Sequence, residues 1–395
     1  MATLDIFSYA LVGIALLLLV PVALLLVEVV AALLPGKATA PTTAAVPHLA
    51  VLVPAHDEAT VIGEMLLNIA AELAPGDRLI VVADNCTDVT AEIARSHGAE
   101  VVNRNDLSQR GKSFALDFGI RHLSSAPPEV VVIVDADCRL DQGSLRTIAA
   151  RACQSGRPVQ AHYELLLPAG QDSAGRGIAV FASKVKNYLR PLGLNRLGLP
   201  CQLAGTGMAL PWKALMAVDL KSGELAEDLV LGLDLARCGF AAEFCAAARV
   251  TSYFPPSAEG TRTQRARWET GHVTTILRRV PGLVVEAILT RNGPLLALAL
   301  DAAVPPLALQ TVALLAVFFI SLVAAAWGSY GALAVSATAL GLFAISVLLA
   351  WHRAGRDNIT FLQLAAVPPY VLSKVPLYAQ IFSGKRIPWI RSKRD

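Results

Sequence analysis

The chain has 395 residues, 54% of them hydrophobic and only 16% charged, and its 34 basic and 31 acidic side chains leave a formal net charge of +3. So hydrophobic a chain is not intrinsically disordered, and so even a charge balance excludes a protein built chiefly to bind a nucleic-acid backbone. A mean hydropathy of +0.53 also excludes a set of purely soluble domains.

In chain order, residues 8–34 are apolar except for Glu28 and long enough to cross a bilayer once. Ala38-Thr39-Ala40 imitates a signal-peptide cleavage site, but the first ten residues carry no positive charge and Pro41 would follow the cut. A retained anchor over residues 1–35 is expected, followed by a linker over 36–47.

Short aliphatic runs then alternate with helical patterns. Residues 49–53, 78–83, 100–103 and 130–134 read as strands, and 61–73, 89–97 and 112–123 as helices. This alternation predicts an α/β domain with a mainly parallel sheet, whose ligands bind at the carboxyl ends of the strands. Polar residues just past those ends are therefore the candidates for chemistry.

The first strand runs into Pro54-Ala55-His56-Asp57-Glu58, an acidic loop that suits either a ligand or a solvated helix start. The second ends at Asp84, placed to accept hydrogen bonds from a base or ribose, while Asp88 caps the next helix. Lys112 opens a helix, where it meets an arriving phosphate or is an ordinary surface lysine. The fourth strand ends in Asp135-Ala136-Asp137. Two carboxylates one residue apart can hold a hard cation, Mg²⁺ or Mn²⁺, against a diphosphate, although acidic strand ends also cap helices.

Gly205-Thr206-Gly207 offers backbone with little bulk near a cavity, or an ordinary loop. Glu227-Asp228 begins a helix, supplying a general base or merely complementing the helix dipole. Within residues 263–268, Gln264, Arg267 and Trp268 share one helical face. That face presents an amide, a guanidinium for a leaving diphosphate and an aromatic plate for a sugar, unless Arg and Trp simply snorkel at a membrane surface.

Residues 302–351 contain no Asp, Glu, Lys, Arg or His and suit two spans, about 302–326 and 330–351, joined by a turn at residues 327–331. The apolar stretch 359–384 carries Lys374 and three prolines between two basic flanks. An interfacial or re-entrant helix is expected there, with a fourth span as the alternative, and then a basic cytoplasmic tail. The distribution of Lys and Arg puts residues 36–292 in the cytoplasm and makes 293–395 a membrane region. Glu28 and Asp301, costly in hydrocarbon, are expected at the headgroup boundary. The six cysteines form no CxxC pair, so neither disulfides nor a zinc site is expected.

The ordered set Pro54–Glu58, Asp84, Gly111-Lys112, Asp135-Ala136-Asp137, Gly205-Thr206-Gly207, Glu227-Asp228 and Gln264 to Trp268 resembles the family 2 glycosyltransferases, in particular the membrane-embedded cellulose, chitin and hyaluronan synthase branch. The resemblance covers about residues 48–275 and implies a GT-A, Rossmann-like nucleotide-diphospho-sugar transferase fold with α-helical transmembrane segments. It implies that Pro54, Glu58, Asp84, Lys112, Asp135, Gln264 and Arg267 bind the nucleotide sugar and that Asp137 binds the metal. It further implies that Asp228 is the base, and that Gly205, Thr206, Gly207, Glu227 and Trp268 face the acceptor. His56 and Asp57 depart from the family's usual aromatic and Asn.

The function expected is inverting transfer of a hexosyl or N-acetylhexosaminyl unit from a UDP-sugar, with Mg²⁺ or Mn²⁺, in the bacterial cytoplasmic membrane. The product would be β-linked exopolysaccharide or its lipid-linked precursor. Polymer-secreting relatives carry more membrane helices, so a pore would need a homo-oligomer or an export partner. The alternatives are a glycolipid synthase acting on ceramide, diacylglycerol or a polyprenyl phosphate, and an inactive partner of a polysaccharide export complex.

Overall fold

The protein is described by a computed structural model covering residues 2–36, 47–168, 170, 174–255 and 257–383. The predicted linker 36–47, apart from its ends, and the basic tail from residue 384 lie outside these residues.

Helix α1 (Ala2–Leu33) leads into β1 (Leu49–Ala55), α2 (Ile62–Ala70), β2 (Arg78–Asp84), α3 (Thr90–Ser96), β3 (Glu100–Arg104), α4 (Lys112–Leu123) and β4 (Val130–Ile133). These match the expected strands and helices within a few residues, because aliphatic runs buried on both faces are read reliably as parallel strands. Alternate residues of β1 enter opposite cores. Ala50 and Leu52 join Ile80 and Val82 on one face, and Val51 and Val53 join Leu79 and Val81 on the other.

The second half of the domain holds β5 (Arg139–Leu140), α5 (Ser144–Ser155), β6 (Val159–Leu166) and α6 (Ala174–Lys184), which passes through a π-helical turn (Val185–Leu189) into α7 (Arg190–Arg196). β7 (Met208–Pro211), α8 (Trp212–Leu215), α9 (Glu227–Arg237) and β8 (Glu243–Tyr253) complete it. The eight strands form one mixed sheet in the order β3-β2-β1-β4-β7-β6-β8-β5. β1 to β4 pair in parallel, β7 runs antiparallel to both neighbours, and β6 pairs with β8 in parallel.

Next come α10 (Ala258–Arg278), α11 (Val280–Leu289), α12 (Gly293–Ala302), α13 (Leu307–Ala325), α14 (Tyr330–Ala350), α15 (Val367–Leu372) and α16 (Val375–Phe382). Among the described residues three helices are long and apolar enough to cross a membrane: Ile6–Leu33, Leu307–Ala325 and Tyr330–Gly355. The second begins later than the charge-free run, because Pro305-Pro306 separates it from α12. α15 and α16 have 6 and 8 residues, too short to cross singly, so 359–384 is not one continuous fourth span.

The candidate membrane helices pack directly against the sheet domain. Val22, Leu25 and Val29 of α1 and Phe343 of α14 lie in the same buried cluster as Leu52 and Ile133 of the sheet. α7 touches α1 so closely that a Cβ on Gly193 would sit 1.9 Å from the Glu28 carbonyl oxygen. Glu28 and Asp301, expected at a headgroup boundary, lie inside the protein. Both are buried and both bind Arg190: its Nε donates to Glu28 at 2.6 Å and its Nη2 to Asp301 Oδ1 at 2.5 Å. That partner sits on α7, remote in sequence from both carboxylates.

Candidate active site

A cavity of about 640 Å³ opens at the carboxyl ends of β1, β2 and β4 and continues to Pro305, Pro306 and Leu307, where α13 begins. It collects most of the residues that the motifs singled out: Pro54, Glu58, Asp84, Lys112, Asp135, Asp137, Gly205, Glu227, Asp228, Gln264, Arg267 and Trp268 all line it.

The loops after β1 and β2 are stapled together. Asp57 Oδ1 accepts from the backbone N–H of Thr87 at 2.6 Å, and His56 Nδ1 donates to the Asp84 carbonyl at 2.7 Å. Asp57 and Asn85 both hold positive φ, at 54° and 52°, a conformation these short polar residues tolerate. Asp84 itself is largely committed within the protein: its Oδ1 accepts from Arg104 at 2.7 Å and from Asn85 at 3.0 Å. Burial still raises its pKa, against the pull of Arg104. Asp88 accepts from the Thr90 N–H at 3.0 Å and so serves the start of α3.

Past β4, Asp135 forms an ion pair with Lys112, whose Nζ also donates to the Gly205 carbonyl at 2.7 Å. Burial works against that ammonium, but Asp135, Glu227 and Asp228 outweigh it and hold Lys112 above the usual lysine range. Asp137 Oδ2 accepts from the Ser252 hydroxyl at 2.8 Å. Carboxylate oxygens of Asp135 and Asp137 and the Cys138 sulfur lie within 4.8 Å of one another. Two of these three groups are carboxylates, hard oxygen donors that fit Mg²⁺ or Mn²⁺, while burial pushes the Cys138 thiol well up.

Glu227 and Asp228 lie in the first turn of α9. Burial and the adjacent Asp228 push Glu227 above the ordinary carboxylate range, with Lys112 pulling the other way. Asp228 Oδ1 accepts from the Leu229 N–H at 2.8 Å, while its Oδ2 faces Gly205, 3.4 Å from where a Cβ there would stand. Gly205, with φ +85°, thus lets Lys112 and Asp228 converge on bare backbone.

Thr206 and Gly207 are not part of the cavity wall. Thr206 is fully buried and its hydroxyl accepts from the Asp135 N–H at 3.1 Å, so it supports the acidic loop from behind. Gly207 packs against β8, where a Cβ would meet Val250 at 2.7 Å. The expectation that they face the acceptor is corrected: positive φ at both flanking glycines turns Thr206 inward.

On α10, Gln264, Arg267 and Trp268 reach the cavity together as their spacing predicts. Gln264 is buried with its Oε1 lacking a hydrogen-bond partner, a costly arrangement unless a ligand donor arrives. Glu269, one residue on, accepts from Lys374 Nζ at 2.8 Å and from the Tyr378 hydroxyl at 2.7 Å, tying α16 and the residue preceding it to α10. Arg104, Ser252 and Lys186 were not singled out by sequence, since each reaches the site from an element with no motif of its own.

A family profile described as "Glycosyltransferase like family 2" matches residues 47–271, more than half of the chain. A curated relative, 4,4'-diaponeurosporenoate glycosyltransferase of Staphylococcus aureus, is 39% identical over 92 residues, which cover 22% of this chain and only 24% of that protein. Among solved structures, a mannosyltransferase from Pyrobaculum calidifontis in complex with GDP-Man and Mn²⁺ superposes with a TM-score of 0.56 at 18% identity, over 95% of this chain and all of that one. The likeness in fold is to GT-A glycosyltransferases, with candidate membrane helices included in the alignment. The chain belongs to glycosyltransferase family 2.

Proposed function

We propose that this chain is an inverting, metal-dependent glycosyltransferase that moves a sugar from a nucleoside-diphosphate donor, UDP-linked by first preference, onto a lipid-like acceptor held in the membrane. The observation that carries this reading is the continuity of the cavity from Asp135 and Asp137 to Pro305–Leu307 at the foot of a candidate membrane span. An acceptor rooted in the bilayer can enter at that end while the water-soluble donor enters at the other. Restricting the acceptor to the membrane plane also turns a three-dimensional encounter into a local one.

Asp84 and the loop Pro54 to Glu58 would hold the nucleoside, and Lys112, Gln264 and Arg267 the diphosphate. Asp135 and Asp137 would hold Mg²⁺ or Mn²⁺, which supplies charge stabilisation to the departing diphosphate. Asp228 would take the proton from the acceptor hydroxyl, in a single displacement that turns an α-linked donor into a β-linked product. Glu227, Gly205 and Trp268 would frame the acceptor. The catalytic domain would lie on the cytoplasmic side. A curated relative named for a 4,4'-diaponeurosporenoate substrate supports an acceptor other than a polymer.

The second reading is exopolysaccharide synthesis, favoured by the ordered motif set; with three candidate spans, a pore would then fall to a second copy or an export partner. The test is to incubate membranes containing the full chain with radiolabelled UDP- and GDP-sugars and Mn²⁺, using Asp228→Asn membranes as blank. Label extracted into organic solvent as a small product supports the lipid-like acceptor. High-molecular-weight, glycosidase-sensitive label establishes the polymer reading instead.

A further inference from the structure

The cations of the cavity wall divide into two groups. Lys112, Arg190 and Arg265 are each ion-paired with a carboxylate of the protein. Arg110, Arg267 and Lys186 line the same space and make no hydrogen bond or ion pair among the described residues, and Arg110 is exposed two positions before Lys112 on the donor side. Arg267 belongs with the groups assigned above to the donor diphosphate. Lys186 is left over.

Its position is unusual. Lys186 lies on the π-helical turn Val185–Leu189 that joins α6 to α7, and Asn187 of the same turn also lines the cavity. A π turn inserts an extra residue into a helix at a structural cost and recurs at functional sites. The Lys186 side chain is exposed toward the cavity, with Asp228, Arg190, Asp301 and His272 within electrostatic reach. Burial lowers its pKa, the mark of a cation with too little compensation around it. Apolar wall follows: Ala179, Ala182, Val185 and Phe254 line the cavity, which ends at Leu307 of the membrane span.

We propose that Lys186 binds an anionic group, a carboxylate or a phosphate, carried by the membrane-resident acceptor, so that the site selects anionic over neutral amphiphiles. This rests on the reading that the acceptor is lipid-like. Lys186 is exposed toward the cavity and has no partner among the described residues, so an incoming anion gains a charge-assisted hydrogen bond there. The apolar wall then takes the tail. A simpler role, offsetting the charge of Asp228, makes a different prediction.

The experiment uses the detergent-solubilised full chain and native mass spectrometry, with palmitic acid, methyl palmitate and hexadecyl phosphate as probes. Wild type should retain the acid about 10-fold more tightly than the ester, as expected for one charge-assisted contact. Lys186→Gln should bring the acid down to the level of the ester without changing the ester, and Lys186→Arg should keep the preference. Hexadecyl phosphate in competition with the acid shows which anion is preferred.

Equal retention of acid and ester by wild type overturns the proposal, as does a preference that survives in Lys186→Gln. If Lys186 serves only Asp228, Lys186→Gln leaves the probe preference intact and displaces the pH profile of transfer. Mn²⁺-dependent UDP and GDP binding is measured in parallel. Its absence in wild type sinks the glycosyltransferase assignments of the site, whereas its presence without an acid preference sinks only the role of Lys186.

Discussion

Arg190 on α7 donates to Glu28 near the carboxyl end of the chain's first candidate membrane helix, 162 positions earlier, at 2.6 Å. Its other arm reaches Asp301 on α12, whose second carboxylate oxygen accepts from Gln202. One guanidinium thus joins a candidate membrane span, the catalytic domain and the helix preceding the second span, and it does so on the wall of the cavity.

Removing the guanidinium strands two buried carboxylates. Arg190→Met should cost about 3–5 kcal/mol, the range for breaking a buried ion pair from one side. Adding Glu28→Gln and Asp301→Asn should recover most of that loss, because no unpaired charge then remains. Thermal unfolding of the detergent-solubilised full chain reads both outcomes; a single variant as stable as wild type would show that the triad contributes little.

Asp228→Asn should lower transfer by about 10²–10⁴-fold, the usual contribution of a general base, with UDP binding retained. Glu227→Gln should have a smaller effect and should appear mainly in acceptor KM. The reverse pattern would move the base to Glu227, whose raised pKa also suits a proton acceptor.

Asp137→Ala should abolish the Mn²⁺ dependence of nucleotide binding in calorimetry, whereas Ser252→Ala, which removes the hydroxyl donor to Asp137, should weaken it only partly. Nucleotide affinity unchanged with and without Mn²⁺ in Asp137→Ala would remove the metal from this loop.

His272 is buried on α10 and donates from Nε2 to the Ala302 carbonyl at 3.0 Å, and burial lowers its pKa to about 3. Between that value and the ordinary 6.5 the unfolded chain binds a proton that the folded chain refuses, so stability is lost as pH falls through this window. The imidazole accounts for about 2 kcal/mol of that loss at about pH 5. His272→Gln should therefore flatten the fall in unfolding temperature between neutral and about pH 5. An unchanged slope would mean that the ring is accessible to protons in the folded state.

The element boundaries of the first half of the domain were legible because a parallel sheet buried on both faces writes itself as uninterrupted aliphatic runs, with acidic loops at one edge. α4 begins and ends at the predicted residues, and Asp135, Asp137, Asp228 and Arg267 meet in one cavity as their order implied. Hydrophobic length alone likewise marked three candidate spans. Those signals are local, carried by side-chain type and spacing within one element.

What only the tertiary structure decided are the pairings between elements. Arg104 reaches Asp84 because β3 lies beside β2, and Thr206 turns away from the cavity because two positive-φ glycines fold it under Asp135. Glu28 and Asp301 find Arg190 in the interior, and Lys186 lines the cavity from a π turn that no sequence motif marks. A charge's partner is chosen by proximity in space, and at separations of 20 to 162 positions no periodicity in the sequence records it.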